Sequence, residues 1–189
     1  MRVLIIDNKD SFTYNIVDLL RTIGNVDFEV LLSDELDLHT LSAFDSIIIS
    51  PGPMKPIDFP ILKEVISYCS KKNKPLLGIC LGHQAICEYF GGELVKLKLV
   101  VHGQKKQIEI DNSSLIYKNL PPKIEVGLYH SWMVNPNSLN SCLKTTGFSS
   151  DQSIMSVQHY SSNIFGTQFH PESFMTESGK QIMENFLKI

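Results

Sequence analysis

Cys80 stands in the run Gly78-Ile79-Cys80-Leu81-Gly82-His83-Gln84, and 90 positions later His170 and Glu172 occur in Gln168-Phe169-His170-Pro171-Glu172-Ser173. A thiol, an imidazole and a carboxylate are the parts of a nucleophile, base and orienter set: the imidazole takes the thiol proton and the carboxylate fixes its tautomer. A cysteine alone is more often an inert, buried small hydrophobe, and a single histidine is more often structural. The conjunction of the two runs is what points to covalent catalysis.

The surroundings of Cys80 describe how it would be presented. Pro75-Leu76-Leu77-Gly78-Ile79 is a short apolar run suited to a buried strand. Leu81, Ala85, Ile86, Tyr89 and Phe90 then recur at helical spacing until Gly91-Gly92 ends the pattern. Cys80 falls at the junction, and the glycines at 78 and 82 leave room for a sharp strand-to-helix bend, the cysteine version of a nucleophile elbow. A helix N-terminus also favours a thiolate, through its free N–H groups and its dipole. His170 and Glu172 are two apart, so on an extended stretch both side chains point to one face. The spacing therefore predicts that a later strand supplies both.

Elements that could position these groups follow from the hydrophobic pattern. Val3 to Ile6 reads as a strand. Phe12, Ile16, Leu19, Leu20 and Ile23 mark a helix with Ser11 as N-cap and Gly24 as its stop. Phe28 to Leu32 and Ile47 to Ile49 read as further strands, and Phe59, Leu62, Ile66 and Cys69 mark a second helix before the strand leading to Cys80. Such alternation predicts a parallel sheet with helices on both faces. Beyond Gly92 the runs shorten to Gln107–Ile110, Ile124–Leu128, Ser153–Gln158 and Ile164–Phe169, which predicts antiparallel strands added to the sheet. A C-terminal helix carrying Ile182, Met183, Phe186 and Leu187 closes the chain. The expected fold is a flavodoxin-like α/β open sheet forming one domain over residues 1–189. Ligands gather at the carboxyl ends of the strands in such sheets, where Ser50-Pro51-Gly52-Pro53 and Cys80 would meet.

The composition excludes several classes. With 43% hydrophobic and 20% charged residues and a net charge of -3, the chain has no basic face suited to nucleic acid. No apolar run is long enough to span a bilayer, and the four-residue run Val3–Ile6 is too short for a signal-peptide core. Cys69, Cys80, Cys87 and Cys142 show no framework spacing, which predicts reduced thiols in a cytoplasmic protein. A zinc site built on Cys80 and the histidines is the competing reading of that cysteine, but no ligand pair has structural-zinc spacing. No metal ligand is therefore assigned, and His39 and His159 carry no signal.

Ser50-Pro51-Gly52-Pro53 and the runs around Cys80 and His170 together resemble the class I, or triad-type, glutamine amidotransferases. Asp7-Asn8-Lys9-Asp10-Ser11-Phe12-Thr13-Tyr14-Asn15, with His102-Gly103 and Tyr129-His130-Ser131, is similar to the glutaminase components of anthranilate synthase and aminodeoxychorismate synthase. The likeness spans the whole chain. It implies that Cys80, His170 and Glu172 hydrolyse L-glutamine and that ammonia passes to a chorismate-binding synthase subunit, with anthranilate or aminodeoxychorismate as product. Any Mg²⁺ would belong to that partner, and no cofactor is expected here. The rival readings are an amidotransferase subunit for another acceptor, such as GMP synthetase, and a catalytically silent regulatory subunit.

The elbow makes the Leu81 N–H one candidate donor to a tetrahedral oxyanion, and the resemblance implies Gly52 N–H as the other. It also implies glutamine binding by Gln84, by the backbone of Ser131 and Trp132, and beside Met54. Gln84 lies one turn along the helix from Cys80. His83 and His130 are expected to be structural or to touch a partner. The chain departs from the family pattern at Met54 for glycine, Lys9 for tyrosine, Gln104 for lysine and Trp132 for leucine. Met54 matters most, because its side chain would sit against the bound glutamine.

Overall fold

Val3, Leu4, Ile5 and Ile6 are all fully buried in strand β1 (Arg2–Asp7), without the polar alternation of a one-sided sheet. Both faces of such a strand must be covered. The computed structural model, which describes residues 1–189, shows what covers them. Val3 and Ile5 join one core with Ile16, Val17 and Leu20 of helix α1 (Thr13–Ile23) and with Ile182, Met183 and Phe186 of helix α4 (Gly179–Phe186). Leu4 and Ile6 join a second core with Leu62, Val65 and Ile66 of helix α2 (Ile61–Lys72) and with Leu81, Ala85 and Ile86 of helix α3 (Leu81–Tyr89).

The remaining strands are β2 (Asp27–Leu32), β3 (Ser46–Ile49), β4 (Leu76–Ile79), β5 (Leu94–Lys96), β6 (Gln104–Ile110), β7 (Lys123–Leu128), β8 (Trp132–Val134), β9 (Leu143–Ser149), β10 (Ile154–His159) and β11 (Ile164–Thr167). Nine of the eleven form one sheet in the order β2-β1-β3-β4-β11-β10-β9-β6-β7. The first five are parallel, giving the flavodoxin-like 2-1-3-4-5 order with β11 in fifth place. The last four pair antiparallel. The expected architecture, a parallel centre with helices on both faces and added antiparallel strands, is present.

Two local expectations are corrected. Ser11 does not cap α1: the cap position is Phe12, with no side-chain cap, and Asp10 Oδ1 instead accepts the Phe12 N–H at 2.8 Å. The N–H groups that a serine cap would accept from, those of Thr13 and Tyr14, donate to the backbone carbonyls of Asp10 and Ser11. Strand β11 ends at Thr167, so His170 and Glu172 leave the sheet before their own positions. Strand β9 and the two-stranded ribbon β5–β8 were not expected; β5 and β8 are three residues each, too short to show a period. No helix is long and apolar enough to cross a membrane.

Parallel pairing puts the ends of β1, β3, β4 and β11 on one edge of the sheet. From that edge emerge Asp7-Asn8, the Ser50–Pro53 loop, Cys80 and Gln168–Glu172. Two loops are tied together there: the Asn8 N–H donates to Ser50 Oγ at 3.0 Å and Asn8 Nδ2 donates to the Ser50 carbonyl at 2.9 Å.

Candidate active site

Cys80 is the residue between β4 and α3, with φ 51° and ψ -96°. For a side chain with a Cβ this is strained left-handed backbone, of the kind that persists where the surroundings over-determine it. The surroundings here are close contacts. A Cβ on Gly78 would lie 2.4 Å from the Gly82 carbonyl carbon, and one on Gly82 would lie 2.7 Å from the Ile49 carbonyl oxygen. The first turn of α3 therefore approaches both β4 and β3 at distances that only glycine at 78 and 82 allows. The Cys80 N–H donates to the Thr167 carbonyl at 2.8 Å, which bonds the elbow to the end of β11. The cysteine remains 6% exposed.

His170 and Glu172 meet through a turn. The Ser173 N–H donates to the His170 carbonyl at 3.1 Å and Thr176 Oγ1 to the same oxygen at 2.7 Å, folding residues 170–173 back on themselves. His170 Nδ1 then lies 2.7 Å from Glu172 Oε1. Two rings hold the imidazole: those of Phe12 and Tyr129, each with its centroid 4.9 Å from the imidazole's. Burial works against the His170 cation, but neighbouring Glu172 and Cys80 outweigh it and hold its pKa well above the usual imidazole value. Nε2 has no partner in hydrogen-bond geometry, although the Cys80 thiol lies near enough to help raise the ring's pKa. Catalytic hydrogen bonds are often long before substrate binds.

Cys80 opens on a cavity of about 200 Å³ whose wall also includes Gly52, Met54, Gln84, Ser131 and Trp132, with Asp10, Tyr129 and His130. The structure thus gathers most of the expected binding residues at one site, although they come from three separate stretches: the loop after β3, helix α3 and the start of β8. Pockets for drug-sized ligands run to roughly 300–1,000 Å³, so this one suits a single amino acid. A wider depression of about 450 Å³, bordered by Asn15, Glu172 and Lys180, has no cysteine in its wall.

Several residues have physical reasons that differ from those read in the sequence. The Cβ direction of Gly52 points at Leu81 Cδ2 (2.4 Å) and Asn8 Cβ (2.9 Å), so the missing atom lets the Ser50–Pro53 loop pack on the first residue of α3. Met54 has φ 66°, the left-handed region that favours glycine, and its side chain is 65% exposed on the cavity rim. A glycine would take this backbone conformation without strain. Trp132 carries lysines on its ring, with Lys55 Nζ 5.0 Å and Lys96 Nζ 6.0 Å from the centroid.

His83 is buried against Gly166 and kept neutral: burial first, then the neighbouring His130, pushes its pKa down to about 3. His130 lines the cavity, and burial, then the charges of His170 and Lys106, push it down to about 4. Burial pushes the Cys69 thiol up to about 12 and the Cys87 thiol higher still. No group of three or more His, Cys, Asp or Glu side chains is assembled to hold a metal ion.

Sequence reasoning gave no role to Phe12 or Tyr129, whose rings clasp His170, nor to Gln168. Gln168 is fully buried, with its Nε2 3.6 Å from Cys80 Sγ. No local pattern could report the contact, which spans 88 positions of the chain.

A family model described as glutamine amidotransferase class-I matches residues 4–189. The chain is 42% identical over 190 residues to a Haemophilus influenzae protein provisionally named anthranilate synthase component II, covering 100% of this chain and 97% of that one. It is 38% identical to the aminodeoxychorismate/anthranilate synthase component 2 of Bacillus subtilis, covering 98% of this chain and 95% of that one. A crystal structure of a Thermoplasma acidophilum protein, provisionally named as one subunit of GMP synthase, superposes with a TM-score of 0.88 at 29% identity, covering 100% of this chain and 92% of the other.

Proposed function

The chain belongs to the class-I glutamine amidotransferase family, and from that premise we propose that it is the glutaminase subunit of a chorismate-using synthase. The observation that carries the reading is the buried His170–Glu172 pair, bonded at 2.7 Å, beside a cysteine on a strained elbow that opens into a small cavity. In this reading the chain hydrolyses L-glutamine and delivers ammonia to the partner, which forms anthranilate or aminodeoxychorismate. One domain over residues 1–189 performs this work. The four free cysteines suit a reducing, cytoplasmic location.

Cys80 Sγ attacks the side-chain amide carbon of glutamine while His170 Nε2 takes the thiol proton. Glu172 holds Nδ1 and stabilises the imidazolium, which is the form its raised pKa favours. The carbonyl electrons move to oxygen, and the N–H groups of Leu81 and Gly52 receive the oxyanion; such donors are each worth about 3–4 kcal/mol to the transition state. When the carbonyl re-forms, the carbon–nitrogen bond breaks and His170 protonates the leaving nitrogen as ammonia. A thioester on Cys80 remains. Water attacks it with His170 again as base, releasing glutamate and restoring the thiol. Gln84, Ser131, Trp132 and the Met54 rim hold the non-reacting end of the substrate. The reading assigns no cofactor to this chain, and Mg²⁺ to the partner.

The isolated chain should hydrolyse glutamine slowly and be activated by docking of its partner at the rim formed by His102-Gly103 and residues 50–56, since small shifts in site geometry cost large factors in rate. Steady-state glutaminase assays on the chain alone, with an anthranilate-forming partner and with an aminodeoxychorismate-forming partner test this. Activation by one of them identifies the acceptor chemistry. Activation by neither, with stimulation by a GMP-forming synthetase, would replace this reading with the reading suggested by the Thermoplasma likeness.

A further inference from the structure

Three polar groups form a directed chain beneath the cavity. Gln84 Nε2 donates to the Trp132 carbonyl at 2.8 Å and to Gln168 Oε1 at 3.1 Å, and Gln168 Nε2 reaches Cys80 Sγ at 3.6 Å. An amide side chain has a donor end and an acceptor end of nearly the same shape, so shape alone leaves its orientation open. Here the orientation is forced. A backbone carbonyl can only accept, so the nitrogen of Gln84 must face Trp132. That same nitrogen is the one beside Gln168, so Gln168 must present its oxygen to Gln84. Its nitrogen is then left to face the sulfur. The polarity set by one carbonyl in β8 is transmitted through two buried amides to the nucleophile.

We infer that Gln168 is a third polar partner of Cys80: it donates an N–H to the sulfur and, through its oxygen, positions Gln84 with the Gln84 Oε1 acceptor turned away from both protein acceptors. This rests on the reading of Cys80 as the nucleophile of glutamine hydrolysis. Two consequences follow from the chemistry. A thiolate is a far better acceptor than a thiol, so the donor favours the attacking form of Cys80. Gln84 meanwhile has spent its nitrogen on Trp132 and Gln168 and can offer the non-reacting end of the substrate an oxygen acceptor, which suits its α-ammonium group.

The two ends of Gln168 separate experimentally. Gln168→Glu keeps an oxygen for Gln84 Nε2 but has no donor for the sulfur. Gln168→Leu keeps the volume and loses both contacts. The full chain and both variants are compared by the rate at which iodoacetamide alkylates Cys80 at neutral pH, followed by peptide mass spectrometry, and by kcat and KM for glutamine. In Gln168→Glu, alkylation and kcat should fall about tenfold or more, as expected for loss of a charge-assisted hydrogen bond, with KM nearly unchanged. In Gln168→Leu the same fall should come with a raised KM, because Gln84 is then free to turn. A role in packing alone would leave Gln168→Leu nearest to the unsubstituted chain and would not split kcat from KM between the two variants. Alkylation as fast in Gln168→Glu as in the unsubstituted chain overturns the inference. If the buried carboxylate prevents folding, Gln168→Met reads the same donor loss without a charge: slowed alkylation supports the inference and undiminished alkylation overturns it. The alkylation arm needs no glutaminase activity, so failure of the functional reading appears separately, as absent hydrolysis by the unsubstituted chain with its partner.

Discussion

The N–H of Cys80 donates to the carbonyl of Thr167 at 2.8 Å, joining the first residue of the elbow to the last residue of β11. Cys80 and the segment that carries His170 are thereby held in register by the sheet itself. Two residues 87 positions apart become neighbours because β4 and β11 pair in parallel, with Ile79 opposite Thr167.

Replacing Cys80 with Ala should lower glutamine-dependent product formation by the assembled complex at least about a thousandfold, in the manner of nucleophile deletions in other covalent enzymes. Product formation from added ammonium salts should stay within a few fold, because the partner's chemistry is untouched. Parallel assays with the two nitrogen sources decide it. Equal loss of both would show that this chain does more than supply ammonia.

A diazo-ketone analogue of glutamine should modify Cys80 and spare the other three cysteines. Cys69 and Cys87 are buried with thiol pKa values pushed up by desolvation, to about 12 for Cys69, and Cys142 is raised too. None of them has an imidazole–carboxylate pair beside it. Peptide mapping after labelling should find the adduct in the peptide containing residues 78–84. An adduct chiefly at Cys142, the least buried thiol, would count against the assignment.

The buried histidines make stability depend on pH with opposite signs. His83 and His130 have folded pKa values lowered to about 3 and about 4, beneath the ~6.5 of an unfolded histidine. Between those limits the unfolded chain binds more protons, so stability falls as pH falls from about 6.5. The raised value of His170 acts oppositely: its contribution is complete below about 6.5 and is lost as pH rises through the folded pKa. His83→Gln should therefore flatten the acid limb. The unfolding free energy from denaturant titrations should lose about 1.4 kcal/mol per pH unit of slope between about pH 4 and pH 6. An unchanged slope would mean that His83 is already protonated in the folded chain.

Met54 occupies left-handed backbone at φ 66° with an exposed side chain. Met54→Gly relieves strain but adds freedom to the unfolded chain, so its stability should change by no more than about 1 kcal/mol. Its kcat should stay within a few fold while KM shifts, because the residue borders the non-reacting end of the substrate. Met54→Val should be less stable by about 1 kcal/mol, since a β-branched side chain is poorly tolerated there. Thermal unfolding with steady-state kinetics tests both. A large fall in kcat at constant KM for Met54→Gly would place this loop in the chemistry itself.

The amino-acid sequence by itself determined the chemistry-bearing residues and the order of elements that carries them. Cys80 between a buried apolar run and a helical pattern, flanked by Gly78 and Gly82, could be read because an elbow is local: strand, bend and helix lie within a dozen residues. The parallel half of the sheet was readable for the same reason, through alternating strand and helix periods. Only the tertiary structure decided what lies across the site. His170 and Glu172 meet through a turn after β11 and not along a strand, since the Thr176 hydroxyl and the Ser173 N–H both bond the His170 carbonyl and fold the segment back. Phe12 clasps His170 across 158 positions, and Gln168 links Gln84 to Cys80 across 84 and 88. Hydrophobic periodicity tells which face of an element is buried. It says nothing of which amide or ring on another element will meet that face, and a hydrogen bond's direction exists only once its donor and acceptor have been brought within reach.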